Sequence, residues 1–151
     1  MDTQSIRNFR EYLRHFERVL NIQNTSSCCS GVSLAQCHAL MELFKEDNIT
    51  INELSDRLYL DKSTVSRTVE GLVQIGLANR NIPEKDRRAA IVSLTKQGTQ
   101  VCNQINKEND TYFEKVLDSI PSEDYPLFFS SFKIMVDKMI ELNQDKNCQC
   151  N

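Results

Sequence analysis

Residues 50–75 read TINELSDRLYLDKSTVSRTVEGLVQI, and this segment predicts two short helices joined by a two-residue link. Thr50, followed three residues later by Glu53, matches a capping box and begins the first helix. Asp61 is a good N-cap for the second helix, and Gly76 directly after it is a stop signal. Two capped helices with so short a link are typical of a helix-turn-helix.

The second helix, residues 61–75, has the side chains that a DNA recognition helix needs. Short hydroxyls near its N-terminus let the backbone approach DNA and bond to base edges or phosphates, Arg can pair with guanine, and a helix N-terminus attracts phosphate. An exposed Ser/Thr helix that binds no ligand is the alternative interpretation. The predicted inward face comprises Val65, Val69, Leu72 and Val73. The candidate DNA contacts are Lys62, Ser63, Thr64, Ser66, Arg67 and Thr68.

A basic hairpin is predicted directly after this helix. Residues 77–81 predict an extended segment, and the alternation over residues 90–94 predicts a second strand. Between them lies a charged turn, in which Pro83 excludes a central strand. A basic hairpin beside a recognition helix is a wing, which lays Arg into the adjacent minor groove. The basic residues at its tip are Lys85, Arg87 and Arg88.

Four further helices flank this region, so the predicted fold class is mainly α, a winged helix-turn-helix with one small β-hairpin. Apolar residues three and four apart predict helices over residues 5–22, 33–45, 95–117 and 122–143. Only four Gly and three Pro in 151 residues agree with a helix-rich chain. The helix that Ser33 caps is predicted to bury Cys37, Leu40, Met41 and Phe44.

The size, composition and charge of the chain narrow its function class. Its 151 residues correspond to about one domain, and 40% hydrophobic residues exclude a disordered or collagen-like chain. No run of 18 apolar residues and no apolar signal core is present, so we expect no membrane segment and a cytoplasmic location. The net charge is −3, yet residues 57–96 carry +4 and the remainder −7. A basic centre of this kind favours a nucleic-acid partner.

Residues 86–98, DRRAAIVSLTKQG, resemble the wing signature of MarR-type regulators, which reads D-x-R, three residues, V-x-L-T and often a later Gly. Residues 54–58, 61–67 and 72–77 resemble the central helices of that family. The resemblance extends over essentially the whole chain and is specific over about residues 50–98. It identifies the chain as similar to a transcriptional regulator.

This resemblance implies a homodimer that binds a pseudo-palindromic operator in double-stranded DNA, usually as a repressor, with a small effector that alters DNA affinity. It implies that Arg88 enters the minor groove and that Asp86 braces it. Residues 1–32 and 99–151 are then dimerisation helices and tail, and residues 33–98 are the DNA-binding region. The family also allows a small aromatic ligand as the effector.

A dimer is expected independently from the apolar residues near the C-terminus. A thin fold of this size does not easily bury all of them alone, whereas a symmetric dimer buries them and matches a two-fold operator. These residues are Tyr125, Phe128, Phe129, Phe132, Met135 and Met139.

Six cysteines are an addition that the family signature does not require. In the cytosol they are expected to be reduced. One interpretation treats Cys37 and Cys102 as small apolar core residues and the others as incidental. A second is a soft-ion sensor, since three thiolates suit arsenite and three thiolates with His38 suit zinc. The candidate sensor thiols are Cys28, Cys29, Cys37, Cys148 and Cys150.

A third interpretation of the same cysteines is a redox switch. An oxidant modifies an exposed thiolate, and a second cysteine resolves it. The three interpretations differ in the thiol pKa values, which a sequence does not supply. No cofactor other than arsenite or zinc is implied.

An enzyme is not expected. Cys37 and His38 are neighbours on a helix, so their side chains point about 100° apart, and no Gly-rich phosphate loop, HExxH or GxSxG motif is present. The remaining alternative is a winged-helix module for protein contacts alone. Salt dependence of DNA binding discriminates the two, because phosphate contacts release counterions.

Overall fold

The computed structural model describes residues 2–26, 31–82 and 90–148. Within them the chain forms six α-helices and a three-stranded antiparallel sheet, which confirms the predicted fold class. A short 3-10 turn, Ser122–Asp124, precedes the last helix. The elements are α1 (Thr3–Ser26), α2 (Leu34–Lys45), β1 (Ile49–Thr50), α3 (Ile51–Leu58), α4 (Lys62–Gln74), β2 (Ala78–Asn81), β3 (Ile91–Leu94), α5 (Lys96–Leu117) and α6 (Tyr125–Cys148).

The chain divides into two compact units, Met1–Lys107 and Glu108–Asn151. In the first unit α2 contacts α3, α4 and β3, and α3 contacts α4. The largest side chains of this core, which include Leu40, Leu43 and Leu54, are fully buried. The helix-turn-helix is therefore fixed to α2 by a continuous apolar core, which sets the direction of its outward face.

Side-chain caps begin helices α2, α3 and α4, as predicted. The Ser33 hydroxyl accepts the Gln36 N–H while the Gln36 side chain accepts the Ser33 N–H, and Thr50 with Glu53 forms the same reciprocal box. The Asp61 carboxylate caps α4 by accepting the Thr64 N–H. These caps satisfy backbone donors that a helix start leaves without partners, so they fix where each helix begins.

The link between α3 and α4 turns sharply at Tyr59, whose φ of 53° is in the left-handed region. The Tyr59 N–H donates to the Asp56 carbonyl, and the Leu60 N–H donates to the Ser55 carbonyl. These two bonds satisfy carbonyls at the end of α3 and direct the chain into α4.

The sheet has the strand order β1-β3-β2, and β1 was not predicted. Ile49 pairs with Val92, and Arg80 also lies opposite Val92 on the other side of β3. Gly76, with φ of +74°, ends α4 as predicted and lets the chain enter β2. The sheet thus holds β2 directly against α4.

Several predicted details are wrong. Val73 is 38% exposed, and Phe44 is 37% exposed, whereas Ala39 and Leu43 are fully buried on α2. The last helix begins at Tyr125, after the 3-10 turn, and continues to Cys148. Val73 lies about 80° around the helix from Val65, at the margin of the buried stripe, so its spacing alone was misleading.

Two helices expose apolar side chains along much of their length. On α1 these include Phe9 and Phe16, and on α6 they include Phe129 and Ile134. No residue of either helix is buried within the part that the structure describes. None of the helices described is at once long enough and apolar enough to cross a bilayer.

Candidate nucleic-acid interface

Helix α4 presents one buried face and one polar face. Val65, Val69 and Leu72 are fully buried. Ser63 and Arg67, four residues apart, lie on the side opposite these apolar residues and are exposed, as is Lys62. The predicted outward direction of these three residues is therefore correct, whereas Thr64, Ser66 and Thr68 are half-buried at the flanks.

The first turn of α4 is organised by the Asp61 carboxylate. The Ser63 hydroxyl donates to Asp61 Oδ1 at 2.5 Å, and the Thr64 hydroxyl donates to Oδ2 at 2.6 Å. The Thr64 N–H donates to Oδ1 at 2.9 Å. The hydrogen bonds from the Ser63 and Thr64 side chains, with that from the Thr64 backbone, hold the pKa of Asp61 well below its usual range. Asp61 is therefore an anion that only accepts hydrogen bonds.

This anion changes what the N-terminus of α4 can bind. A carboxylate that already caps the helix offsets the positive end of the helix dipole. It also places negative charge where a phosphate would have to approach. The geometry therefore argues against the phosphate contact expected from the helix N-terminus.

Two further contacts orient side chains of α4. Arg67 Nε donates to the Ser63 carbonyl at 3.3 Å, which leaves the terminal nitrogens of the guanidinium exposed. The Thr68 hydroxyl donates to the Thr64 carbonyl at 3.0 Å, a bond within the helix. Arg67 is therefore free to extend toward a base or a phosphate, while Thr68 is held against the backbone.

Sequence reasoning did not single out Arg80, although this residue belongs to the basic segment. Arg80 lies on β2, is exposed, and donates from Nη1 to the Ser66 hydroxyl at 3.4 Å. The pairing of β2 with β3 and the packing of β2 on α4 bring the two side chains together across fourteen residues of sequence. The sequence signal for Arg80 was its place in the extended segment, residues 77–81. That signal does not identify Ser66 on α4 as its neighbour.

The structure describes the wing as far as Ile82 and again from Ala90. Asn81 pairs with Ile91, and this is the pair of the β2–β3 ladder nearest the connecting turn. The predicted residues of the tip, Asp86, Arg87 and Arg88 with Lys85, lie outside the described residues. The pairs Ala78–Leu94 and Asn79–Ser93 lie at the other end of the ladder.

The cysteines of the described residues lie in the core of the first unit. Cys37 is 5% exposed and Cys102 is fully buried, and neither is in a disulfide. The Cys102 thiol lies 3.6 Å from the carbonyl oxygen of Leu40. Leu40 is one helical turn after Cys37 on α2. Burial raises the pKa of Cys37, and burial with the neighbouring Cys37 raises the pKa of Cys102 to about 11.

The other candidate thiols cannot be compared with these two. Cys28, Cys29 and Cys150 lie outside the described residues, and the side chain of Cys148 does as well. Among the residues described, no three His, Cys, Asp or Glu side chains form a group that could hold a metal ion. Cys37 is buried and His38 is exposed, so the two side chains diverge as predicted.

A capped helix-turn-helix followed by a two-stranded hairpin against its second helix defines a winged helix-turn-helix. Residues 32–90 match the family model described as "MarR family". This match over the DNA-binding region confirms the predicted resemblance to MarR-family regulators.

Relatives among known proteins agree with this assignment. The chain is 26% identical over 96 residues to the uncharacterised HTH-type transcriptional regulator YdgJ of Bacillus subtilis (strain 168), which is 64% of this chain and 58% of that protein. It is 28% identical over 89 residues to the organic hydroperoxide resistance transcriptional regulator of the same organism, covering 59% and 56%. The chain thus spans less than two thirds of the length of these relatives.

Solved structures share the fold over most of the chain. A MarR transcriptional regulator from Methanosarcina mazei Go1 has a TM-score of 0.73 and 27% identity over 93% of this chain and 99% of that one. Streptococcus pneumoniae FabT in complex with DNA has a TM-score of 0.75 and 20% identity, with the same two coverages. Streptomyces coelicolor PcaV in complex with its natural ligand has a TM-score of 0.72 and 19% identity, covering 83% and 89%. These relatives and neighbours are transcriptional regulators rather than enzymes, as the sequence predicts for this chain.

Proposed function

We propose that this protein is a transcriptional regulator that binds a pseudo-palindromic DNA operator as a homodimer. The observation on which the proposal depends is the face of α4, where Ser63 and Arg67 are exposed opposite three fully buried apolar residues and Lys62 is exposed in the first turn. Arg80 on β2 adds a cation beside this face. A helix that projects hydroxyl and guanidinium groups from a rigid core is suited to the major groove.

The wing completes the proposed contact with DNA. The β2–β3 ladder lies against α4 through β2, and Asn81 and Ile91 form its last pair before residues 83–89. In this proposal Arg88, with Arg87, enters the minor groove and Asp86 orients it. The known complex of FabT with DNA supports this use of a winged helix of the same fold.

The homodimer is proposed from the exposed apolar faces of α1 and α6. Apolar side chains such as Tyr12 and Ile22 on α1 and Leu127 and Ile134 on α6 are each more than 60% exposed in the single chain. Large apolar patches of this kind are uncommon on monomeric proteins and mark interaction surfaces. Two copies related by a two-fold axis present two recognition helices to two half-sites.

We expect binding to repress transcription, because an operator that overlaps a promoter excludes the polymerase. The decisive measurement is fluorescence anisotropy with DNA enriched from a random duplex library by the full-length protein. Arg67→Ala and Arg88→Ala are each expected to lower affinity by about 1–3 kcal/mol, or five- to 150-fold, at fixed salt. Lys133→Ala on α6 makes the same charge change outside the helix-turn-helix and the wing and should leave affinity unchanged.

The outcomes separate this proposal from its alternatives. A regulator gives an enriched sequence and an affinity that falls steeply with salt, because each phosphate contact releases counterions. A module for protein contacts enriches no sequence and has no such salt dependence. Equal affinities for wild type and both Arg variants would refute the proposed interface. In vitro transcription from a promoter that contains the enriched sequence tests repression.

We propose further that a thiol-reactive effector, an oxidant or a soft ion such as arsenite, releases the protein from DNA. The relationship to an organic hydroperoxide resistance regulator favours an effector of this chemistry. Cys37 is buried and its pKa is raised, so little thiolate forms there at neutral pH. The first reaction is therefore assigned to Cys28, Cys29, Cys148 or Cys150.

Cys37 has a second role in this proposal, as the residue that transmits the change. It lies on α2 in the same buried core as Cys102 of α5, so a group added to its sulfur would have to disturb the packing of that core. A variant that keeps only Cys37 and Cys102 should react slowly with a disulfide reagent until it unfolds, and should hold DNA when arsenite or peroxide is added. Release of DNA from that variant as readily as from wild type would contradict the assignment.

A small organic ligand is the competing effector. PcaV, which shares the fold, is known in complex with its natural ligand. A cysteine-free variant that still leaves DNA on addition of a small aromatic acid would favour this alternative over the thiols.

A further inference from the structure

The hydroxyl groups on α4 differ in the way their protons are used. A hydroxyl has one proton to donate and two lone pairs that accept. Ser63 and Thr64 both donate their protons to Asp61, at 2.5 Å and 2.6 Å. An ionised carboxylate has no proton of its own, so the direction of these two bonds is fixed. Toward a ligand, Ser63 and Thr64 therefore offer lone pairs only.

Ser66 has the opposite arrangement. Its oxygen accepts a hydrogen bond from Arg80 Nη1 at 3.4 Å, and a guanidinium nitrogen only donates. Among the described residues, no acceptor is recorded for the Ser66 proton. Ser66 is therefore available as a donor on the same helix face where Ser63 is an acceptor.

These directions matter because each group in the major groove has a fixed polarity. The amino groups of cytosine and adenine donate, whereas guanine O6 and N7, adenine N7 and thymine O4 accept. Phosphate oxygens only accept, so a hydroxyl that has no proton to give cannot bind them directly. In sequence all the hydroxyls of α4 look equally able to contact bases or phosphates, but in the structure they divide into two kinds.

We propose that Asp61 sets the base preference of the recognition helix by holding Ser63 and Thr64 as hydrogen-bond acceptors. The two hydroxyls then contact the amino groups of cytosine or adenine and make no direct phosphate contacts. Asp61 is in this sense a positioning residue, since it touches the two hydroxyls rather than the DNA. This inference depends on the proposed binding of α4 in the major groove.

The substitution Asp61→Asn tests the proposal with little change to the fold. Asn is as good an N-cap as Asp, so α4 should still begin at the same residue. Its amide nitrogen donates, however, and one of the two hydroxyls must then accept from it and release its own proton toward the DNA. Glu70→Gln is the matched control, because Glu70 is an exposed acid on the same helix and the charge change is identical.

The experiment is selection from a random duplex library with the full-length wild-type, Asp61→Asn and Glu70→Gln proteins. Both variants lose a negative charge near DNA and should gain overall affinity. In Asp61→Asn alone, the preference at one or two base pairs of each half-site should shift by on the order of tenfold. Thermal unfolding verifies that both variants are folded.

Each result has a defined meaning. If wild type enriches no sequence, the proposed function fails and the inference fails with it. If wild type enriches a motif and Asp61→Asn enriches the same motif with the same base preferences, the proposed function stands and the role of Asp61 is refuted. A shift shared by Glu70→Gln would also refute it, because charge alone would then explain the change.

Discussion

The thiols of Cys37 and Cys102 illustrate how burial determines what a cysteine does. The sequence favours the apolar core for Cys102 and leaves Cys37 open as a core residue or as a reactive group, because the same side chain serves both roles. The structure buries both, within one core, with raised pKa values. Such burial depends on contacts such as that between Leu40 on α2 and Cys102 on α5, which are 62 residues apart in sequence, so no local pattern contains it.

A first prediction concerns the alkaline stability that Cys102 contributes. Its pKa is raised from 9.0 to about 11 by burial and by Cys37, so the folded state keeps a proton that the unfolded chain loses. The contribution of the neutral thiol to the free energy of unfolding is fully present below about pH 9. It is lost as the pH rises through about 11, a change on the order of 2 kcal/mol. Urea unfolding at about pH 8 and about pH 10.5 measures this loss.

The Cys102→Ala variant is the comparison for that measurement. It is expected to be less stable at about pH 8, because it leaves a small cavity, but to lose less stability on going to about pH 10.5. Lys and Tyr side chains titrate equally in both proteins and cancel in the difference. Parallel losses in the two proteins would contradict a raised pKa at Cys102.

Arg80 is the residue of the interface that only the structure identifies. Its guanidinium is exposed beside Ser66, within reach of a backbone that enters the groove along α4. We predict that Arg80→Ala weakens DNA binding and lowers the slope of log affinity against log salt by about one, the signature of one lost phosphate contact. Lys133→Ala should leave the slope unchanged, and an unchanged slope in Arg80→Ala would remove Arg80 from the interface.

Among the secondary-structure elements, those with side-chain caps were predicted well and those defined by long-range pairing were not. Ser33, Thr50 and Asp61 act over three residues, so their effect is visible in the sequence. Strand β1 has two residues and exists through its pairing with β3, which begins forty residues later. A two-residue strand has no periodicity to detect, and this is why it was missed.

The junction of β2 with α5 gives a physical reason for the Gly of the wing signature. A Cβ on Gly98 would lie 2.0 Å from the Leu77 carbonyl oxygen, and Leu77 also accepts the Thr95 N–H at 3.1 Å. Because the clash is with backbone, it cannot be relieved by a side-chain rotation. We predict that Gly98→Ala costs about 1–3 kcal/mol of unfolding free energy.

Gln100→Ala is the control for this junction, since Gln100 is exposed on the same turn of α5. Chemical denaturation of the two variants should separate them, with Gln100→Ala within about 0.5 kcal/mol of wild type. If Gly98→Ala were as stable as Gln100→Ala, α5 would have room to move away from β2, and the close approach would not be needed.

For the molecule as a whole, charge and apolar surface are divided between different parts of the chain. The cations of the described interface, Lys62, Arg67 and Arg80, belong to a central segment of charge +4 within a chain of charge −3. The exposed apolar rows belong instead to α1 and α6. A local basic footprint and separate apolar helices are what a DNA-binding dimer requires, and this division was visible from the sequence.

The final prediction tests the dimer through one of those apolar rows. Ile134 on α6 is 69% exposed, so Ile134→Glu places a charge in water in the single chain but would bury it between two copies. We expect the wild-type protein to sediment as a dimer and Ile134→Glu to dissociate at micromolar concentration with its helix content retained. Val73→Glu is the control, because Val73 is an exposed apolar residue on α4. A monomeric wild type, or a variant that stays dimeric, would separate the α6 row from the dimer interface. A dissociated Ile134→Glu that also loses high-affinity binding to a two-site operator would connect that row to DNA recognition, since one copy contacts only one half-site.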